Sequence, residues 1–307
     1  MTMAKPKFME DMSPKVAAYV GCASLAMGML MFGIGNALIK KTSEELPVIE
    51  VVFMRSMFSV LYMFLYLVLA GKLHWLKSHN PKLQITRGVV GFFGLYTLFW
   101  SFSLLPLPEA TAFTFASTPF ITALSYPMLK EKVGVPRWVA VIVGFIGVLI
   151  IARPTGDVTM LGATVAISSA AIESMIMVWA RLLKKDKPVT SVFYHTGIIA
   201  LIALFILPFQ WVTPSMENVF ALAMLGLVSC LGHIFIVYAY SIAPAVVVAP
   251  MLYTLIIWGA LFGYIFWGET LSSSLIFGVP LIVASGLYIV HREKIRKVEH
   301  IPETELG

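Results

Sequence analysis

Ten apolar runs divide this chain, at residues 16–39, 48–70, 87–105, 109–129, 136–152, 158–183, 189–209, 217–240, 244–267 and 273–290. A helix needs about 20 apolar residues to cross the hydrocarbon core of a bilayer, and most of these runs are that long. No single water-soluble core accommodates ten of them. The charge content agrees: 12% of residues are charged, against roughly 25% in soluble domains. Turn and charged residues separate the runs, among them Pro47, the stretch from Gly71 to Pro81, Pro106 and Pro108, Pro188, Pro214 and Pro244. The pattern predicts an all-α membrane protein of ten transmembrane helices. The first run follows a polar segment with Lys5, Lys7, Glu10 and Asp11. It exceeds the apolar core of a signal peptide and reads as a first spanning helix.

Basic residues give the expected orientation. With the N-terminus in the cytoplasm, eighteen of the 22 Lys and Arg residues fall in inner segments, Lys82 and Arg87 before the third span among them. Lys40, Lys41 and Arg153 fall outside, and Arg55 alone lies within a span. This is the positive-inside pattern, so both termini are expected in the cytoplasm of a cell whose inner membrane holds the protein. The same placement accounts for the net charge of +6 without nucleic acid. No basic face with interleaved aromatics is present.

The two halves echo each other. Ala37-Leu38-Ile39-Lys40-Lys41 closes the first span and Arg181-Leu182-Leu183-Lys184-Lys185 the sixth, each followed by a proline, Pro47 or Pro188. Glu131 and Glu269 end the fourth and ninth spans, and each precedes a glycine-bearing final helix, with Gly144 and Gly147 or Gly278 and Gly286. Five spans per copy is an odd number, so the second copy enters the membrane from the opposite side. Such inverted repeats are common in secondary transporters. The expected organisation is a tail at 1–15, a first five-helix repeat at 16–152, a second at 158–290 and a tail at 291–307.

These residues carry a resemblance. The stretch from Arg87-Gly88 through Leu105-Pro106-Leu107-Pro108-Glu109-Ala110 to Pro119-Phe120 is similar to the drug/metabolite transporter superfamily, specifically its EamA-type members. So are Leu129-Lys130-Glu131, Arg137-Trp138 and Gly144-Phe145-Ile146-Gly147, with Ala243-Pro244 and Trp267-Gly268-Glu269-Thr270 in the second half. Pro280 and Ser285 depart from the pattern in the last helix. The resemblance implies a central cavity between the repeats, lined by the first, third, fourth, sixth, eighth and ninth helices. It also implies a small organic substrate, such as S-adenosylmethionine, riboflavin or an amino acid. No cofactor or metal is expected, and the chain is expected to act as a monomer or homodimer in the lipid bilayer.

The polar residues inside the spans are few. Glu173 sits mid-way along the sixth span. A carboxylate there costs about 2.5–3.5 kcal/mol on insertion scales and should face a cavity or a partner. It is the candidate for coupling to a proton or holding a cation; a structural bond to a neighbouring helix is the alternative. Arg55 is the candidate partner for Glu173 or for a substrate carboxylate, or it snorkels to the interface. His233 and His195 titrate near neutrality when exposed, although a ring bonded to a backbone carbonyl is the commoner case. Tyr96 and Trp100, four apart on one helical face, and Tyr253 and Trp258 are candidates for stacking on substrate or plain packing. Asn36, beside Gly33 and Gly35, marks a close helix approach. Pro119 and Pro250 free backbone carbonyls inside two spans. Glu131 and Glu269, at helix ends, are expected to organise loops.

Two other classes fit less well. An intramembrane enzyme needs clustered catalytic groups, yet no G-x-S-x-G or H-E-x-x-H occurs, and Asp11, Asp157 and Asp186 all fall in loops. A channel or a non-transporting membrane sensor lacks its polar rings or a sensing domain. There is also no Walker-type phosphate loop. Cys22 and Cys230 lie within apolar runs and suggest neither a disulfide framework nor a zinc site.

Overall fold

The computed structural model describes residues 13–129, 134–153, 158–183 and 186–299. Glu131 with Lys130 and Lys132, Asp11, Asp157, Lys184 and Lys185 lie outside the described residues. Within them the chain forms α1 (Pro14–Ser43), α2 (Val48–Leu69), α3 (Pro81–Leu104), α4 (Leu107–Thr114), α5 (Ser117–Leu129) and α6 (Val135–Ile151). The second half supplies α7 (Met160–Leu182), α8 (Pro188–Ile206), α9 (Met216–Ile242), α10 (Ala245–Val248), α11 (Thr254–Trp267) and α12 (Ser273–Glu299). Eight stretches are long and apolar enough to cross a membrane, and α6 is a shorter apolar helix. The fourth span is split into α4 and α5, which completes ten crossings.

Local chemistry sets the helix starts. Ser13, Asn80, Thr159 and Ser215 each accept a backbone N–H of the first turn, from Val16, Leu83, Gly162 and Asn218 respectively, satisfying one of the donors a helix start leaves unpaired. Proline follows the cap at Pro14 and Pro81, where its missing N–H costs nothing. The Asn80–Pro81 start lies six residues before the expected beginning of the third span at 87. Arg87 is therefore not a loop base, as the charge count had it, but stands in the second turn of α3.

Pro119 and Pro250 break their spans. A proline ring clashes with the carbonyl four residues earlier, which is Phe115 for Pro119 and Val246 for Pro250. The α4–α5 junction falls at Phe115–Ala116, where the backbone makes tighter turns (Phe115 N–H to Ala112, Ala116 N–H to Phe113). In the ninth span a 3₁₀ turn, Ala249–Tyr253, separates α10 from α11.

Helix pairing is symmetric between the halves. Exchanging the first span with the sixth, the second with the seventh and so on carries each main contact onto another. The packing of α1 on α9 becomes α7 on α3, that of α2 on α9 becomes α8 on α3, and that of α1 on α11 becomes α7 on α5. The pairs α2–α8 and α6–α12 lie across the axis itself. Residue contacts repeat too. Ser169 donates to the Gly94 carbonyl at 3.2 Å, and Gly28 lies against the equivalent carbonyl of Gly232. Phe58 covers Gly226 as Ile198 covers Gly88. Along α6 and α12 the backbones nearly touch: a Cβ at Gly147 would stand 2.8 Å from the Gly278 carbonyl. The irregular Ser285 fits here, because its hydroxyl donates to the Ala140 carbonyl of α6 at 2.6 Å.

Candidate functional site

Three glycines, Gly88, Gly91 and Gly94, form one stripe on α3 at three-residue spacing. Gly88 receives Ile198, Gly91 receives the ring of His195, and Gly94 receives Ile172 and Glu173. The absence of Cβ atoms lets α7 and α8 approach, and this approach brings Glu173 to the middle of the bundle. A Cβ at Gly94 would stand 3.1 Å from Glu173 Oε1.

No described side chain hydrogen-bonds Glu173. Among the described residues the ion pairs are Lys40–Glu269, Lys41–Glu217 and His79–Asp186. The charges within electrostatic reach of Glu173 are Arg87 and Arg55. Arg55 also acts on His195, His233 and Cys230, so these groups surround one interior region. Arg55, Glu173 and His233 are enclosed by the bundle. Nevertheless, Arg55 and Glu173 keep part of their surface accessible, and His233 is exposed. Polar groups that packed helices surround and yet leave partly accessible are what the lining of an internal crevice would present.

The remaining candidates divide by position. His233 Nδ1 donates to the Ser229 carbonyl at 2.7 Å, and the ring sits edge-on to Phe32 with centroids 5.1 Å apart. In its neutral form Nε2 is then a free acceptor. Phe32, Asn36 and Lys40 follow at four-residue spacing, hence on one face of α1. Asn36, partly buried and without a hydrogen bond to any described residue, lies one turn from the His233 contact and one turn from Lys40. Tyr96 and Trp100 do form a ladder with Phe92, the rings 6.1 and 6.2 Å apart. Two residues from Gly94 to Tyr96 turn a helix by about 200°, so this ladder is on the side of α3 away from Glu173. Tyr253 lies tilted against Phe115, its equivalent in the other half, with ring centroids 5.0 Å apart. His195 is partly buried over Gly91, with its Nδ1 unpartnered among the described residues. Trp258 packs over Gly33, its Nε1 likewise unpartnered.

The sequence reading passed over Arg87. It is 9% exposed, its guanidinium donates to the Ser191 carbonyl at 3.3 Å, and its Nε has no partner among the described residues. The missed signal was Asn80–Pro81, a capped start that places Arg87 inside the helix. Glu50, in the first turn of α2, was also missed. It is buried, accepts the Val212 N–H at 3.2 Å through Oε2 and leaves Oε1 unpartnered. Its signal was the one that singled out Glu173, a carboxylate within an apolar run, here Val48-Ile49-Glu50-Val51-Val52.

One end of the bundle is closed by a polar network. Lys40 donates to Glu269 and, at 3.0 Å, to the Leu105 carbonyl. Glu269 accepts the Leu107 N–H at 2.8 Å, and Lys40 also lies over the Trp267 ring. Gly268, at φ +66°, turns the chain so that Glu269 comes back against Gly263. Thr111 seats on Gly259 and Pro108 on Gly263, joining α4 to α11. At the opposite end the equivalent elements, α5 and α10, make no comparable contact among the described residues. Glu131 and Lys184, which the repeat sets against Glu269 and Lys40, lie outside the described residues.

Comparison with known proteins agrees with this architecture. The model of the EamA-like transporter family matches twice, at residues 20–153 and 160–291. An uncharacterized transporter of Helicobacter pylori (strain ATCC 700392 / 26695) is 31% identical over 296 residues, covering 92% of this chain and 98% of that protein. An S-adenosylmethionine uptake transporter of Rickettsia prowazekii is 26% identical over 275 residues, covering 89% and 93%. A pseudopaline exporter of Pseudomonas aeruginosa (strain UCBPP-PA14) is 29% identical over 280 residues, covering 89% and 97%. A crystal structure with 17% identity superposes with a TM-score of 0.62 over 90% of this chain and 98% of its own, a likeness of fold. With two family matches and ten spans in symmetric halves, the chain belongs to the EamA-like transporter family, secondary transporters of small metabolites.

Proposed function

We propose that this protein carries a small zwitterionic metabolite, of the S-adenosylmethionine kind, across the cytoplasmic membrane by alternating access, with Glu173 as the group that binds cation or proton. The supporting observation is a carboxylate that no described side chain pairs, enclosed by the bundle yet accessible, with Arg55 and Arg87 in electrostatic reach. A substrate bearing both signs suits that set: its cationic part meets Glu173, and its carboxylate meets Arg55. The names of the relatives from Rickettsia and Pseudomonas favour a metabolite of this size. A proton on Glu173 and a substrate cation then compete for one site, which is how a transporter couples two fluxes.

The positive-inside count supports cytoplasmic termini, and on that orientation the Lys40–Glu269 end faces outward. On this reading the crevice opens to the cytoplasm. Transport requires the reverse state, with α4 parted from α11 and α5 closed on α10, a rocking of one repeat against the other.

Proteoliposomes test the proposal. Labelled S-adenosylmethionine should exchange against unlabelled substrate inside, and an imposed proton gradient should change its accumulation. No counterflow of it or of any zwitterionic metabolite would refute the substrate class; counterflow indifferent to the gradient would refute proton coupling.

A further inference from the structure

α6 and α7, consecutive in the chain, do not pack side by side. Between them runs a cleft of about 500 Å³, walled by Ile146, Leu149 and Ile150 from α6 and by Met160, Ala163 and Ile167 from α7. Ile146, Leu149 and Met160 are among the exposed large apolar residues, so the cleft opens sideways into the hydrocarbon of the bilayer. Unlike the central crevice, its walls carry almost no polar surface, and in a membrane acyl chains fill such a space.

One end of the cleft is different. Arg153, two residues beyond α6, lines it there, exposed and with no side-chain hydrogen bond or ion pair to any described residue. The three basic residues on this side of the charge count are Lys40, Lys41 and Arg153. Lys40 holds Glu269 and Lys41 holds Glu217; Arg153 alone has no carboxylate among the described residues. A guanidinium at the hydrocarbon boundary is well matched to a phosphate, which it binds through two parallel N–H donors.

We propose that the α6–α7 cleft seats an anionic phospholipid, with one acyl chain between the two helices and the phosphate on Arg153. The position matters because α6 ends the first repeat and α7 begins the second. A lipid wedged at this junction spaces the two repeats without touching the central crevice.

Native mass spectrometry of the full chain, in mixed micelles holding phosphatidylglycerol and phosphatidylethanolamine at equal concentration, tests this. The wild type should keep one phosphatidylglycerol per chain at several-fold preference over phosphatidylethanolamine. Arg153→Gln should erase the preference while keeping total lipid retention, and Ile146→Trp, which fills the cleft, should lower retention of both lipids. Each variant's melting temperature serves as the fold control. Equal retention of the two lipids by the wild type would overturn the proposal, as would a phosphatidylglycerol preference unchanged in Arg153→Gln. Full retention in Ile146→Trp would show that the lipid sits elsewhere.

Discussion

Arg55 on α2 and His195 on α8 occupy equivalent places in the two repeats, each three residues before the side chain that covers a glycine of the partner repeat, Phe58 on Gly226 and Ile198 on Gly88. Symmetry of backbone thus carries asymmetry of charge. The same holds for the glycines Gly94 and Gly232, one facing Glu173 and the other Phe32. The fold is duplicated and the chemistry is not. On the proposed function, an off-centre set of charges would give a bound molecule one preferred orientation.

Arg55→Gln removes one of the two permanent cations near Glu173. Loss of a charge-assisted contact is worth about 1.5–3 kcal/mol, so affinity for zwitterionic substrates should fall by roughly ten- to a hundredfold. Analogues lacking the carboxylate should bind the variant and the wild type alike. Competition binding with such an analogue pair checks it; equal losses for both would mean that Arg55 is structural.

Glu173→Gln should abolish or uncouple transport while expression stays near the wild-type level, since the amide occupies the same space against Gly94. Uptake by proteoliposomes as a function of pH reads the effect. Normal transport with an unchanged pH profile would remove Glu173 from the coupling role.

The Lys40–Glu269 contact should hold the outer end shut. Lys40→Met leaves Glu269 with only the Leu107 N–H and frees the Leu105 carbonyl. In a background lacking Cys22 and Cys230, a cysteine placed by Asn36→Cys should react with an impermeant maleimide from outside about tenfold faster when Lys40 is also replaced, taking a loss of about 1.4 kcal/mol from the closed state. An unchanged labelling rate would place the barrier elsewhere.

Asp186, in the loop before α8, ties that loop to the segment before α3. Burial pushes its carboxyl pKa up, but hydrogen bonds from Ser78, the His79 backbone, Gln84 and the His79 ring outweigh this and hold it down at about 2. A group depressed on folding stabilises above its unfolded pKa of 3.8 and loses that contribution as pH falls through about 2. Asp186→Asn should therefore lower stability at pH 7, by roughly 1.5–3 kcal/mol for charge-assisted bonds. The deficit relative to wild type should shrink as the pH is taken from 4 toward 2. Thermal melts across that range measure it, and a constant deficit would contradict the assignment.

Much of this protein can be read from its residues in order. Apolar length fixes where helices cross, since a buried backbone without water must bond to itself. The odd count of spans per repeat determines inversion, and Pro119 and Pro250 mark the two broken spans through a missing donor and a steric clash. Glu173 stands out because a lone carboxylate in an apolar run requires a reason. Tertiary structure alone decided what these residues face. The Asn80–Pro81 start of α3 was legible in the sequence, but the burial of Arg87 against Ser191 of α8 was not. Tyr96 and Trp100 share a face as their spacing requires, but which neighbour that face meets depends on how α7 and α8 settle on the glycine stripe. The joining of Lys40 to Glu269, far apart in sequence, and the open cleft beside Arg153 are likewise products of packing. Spacing along a chain determines the face of a helix; only the docking of the other helices determines what that face meets.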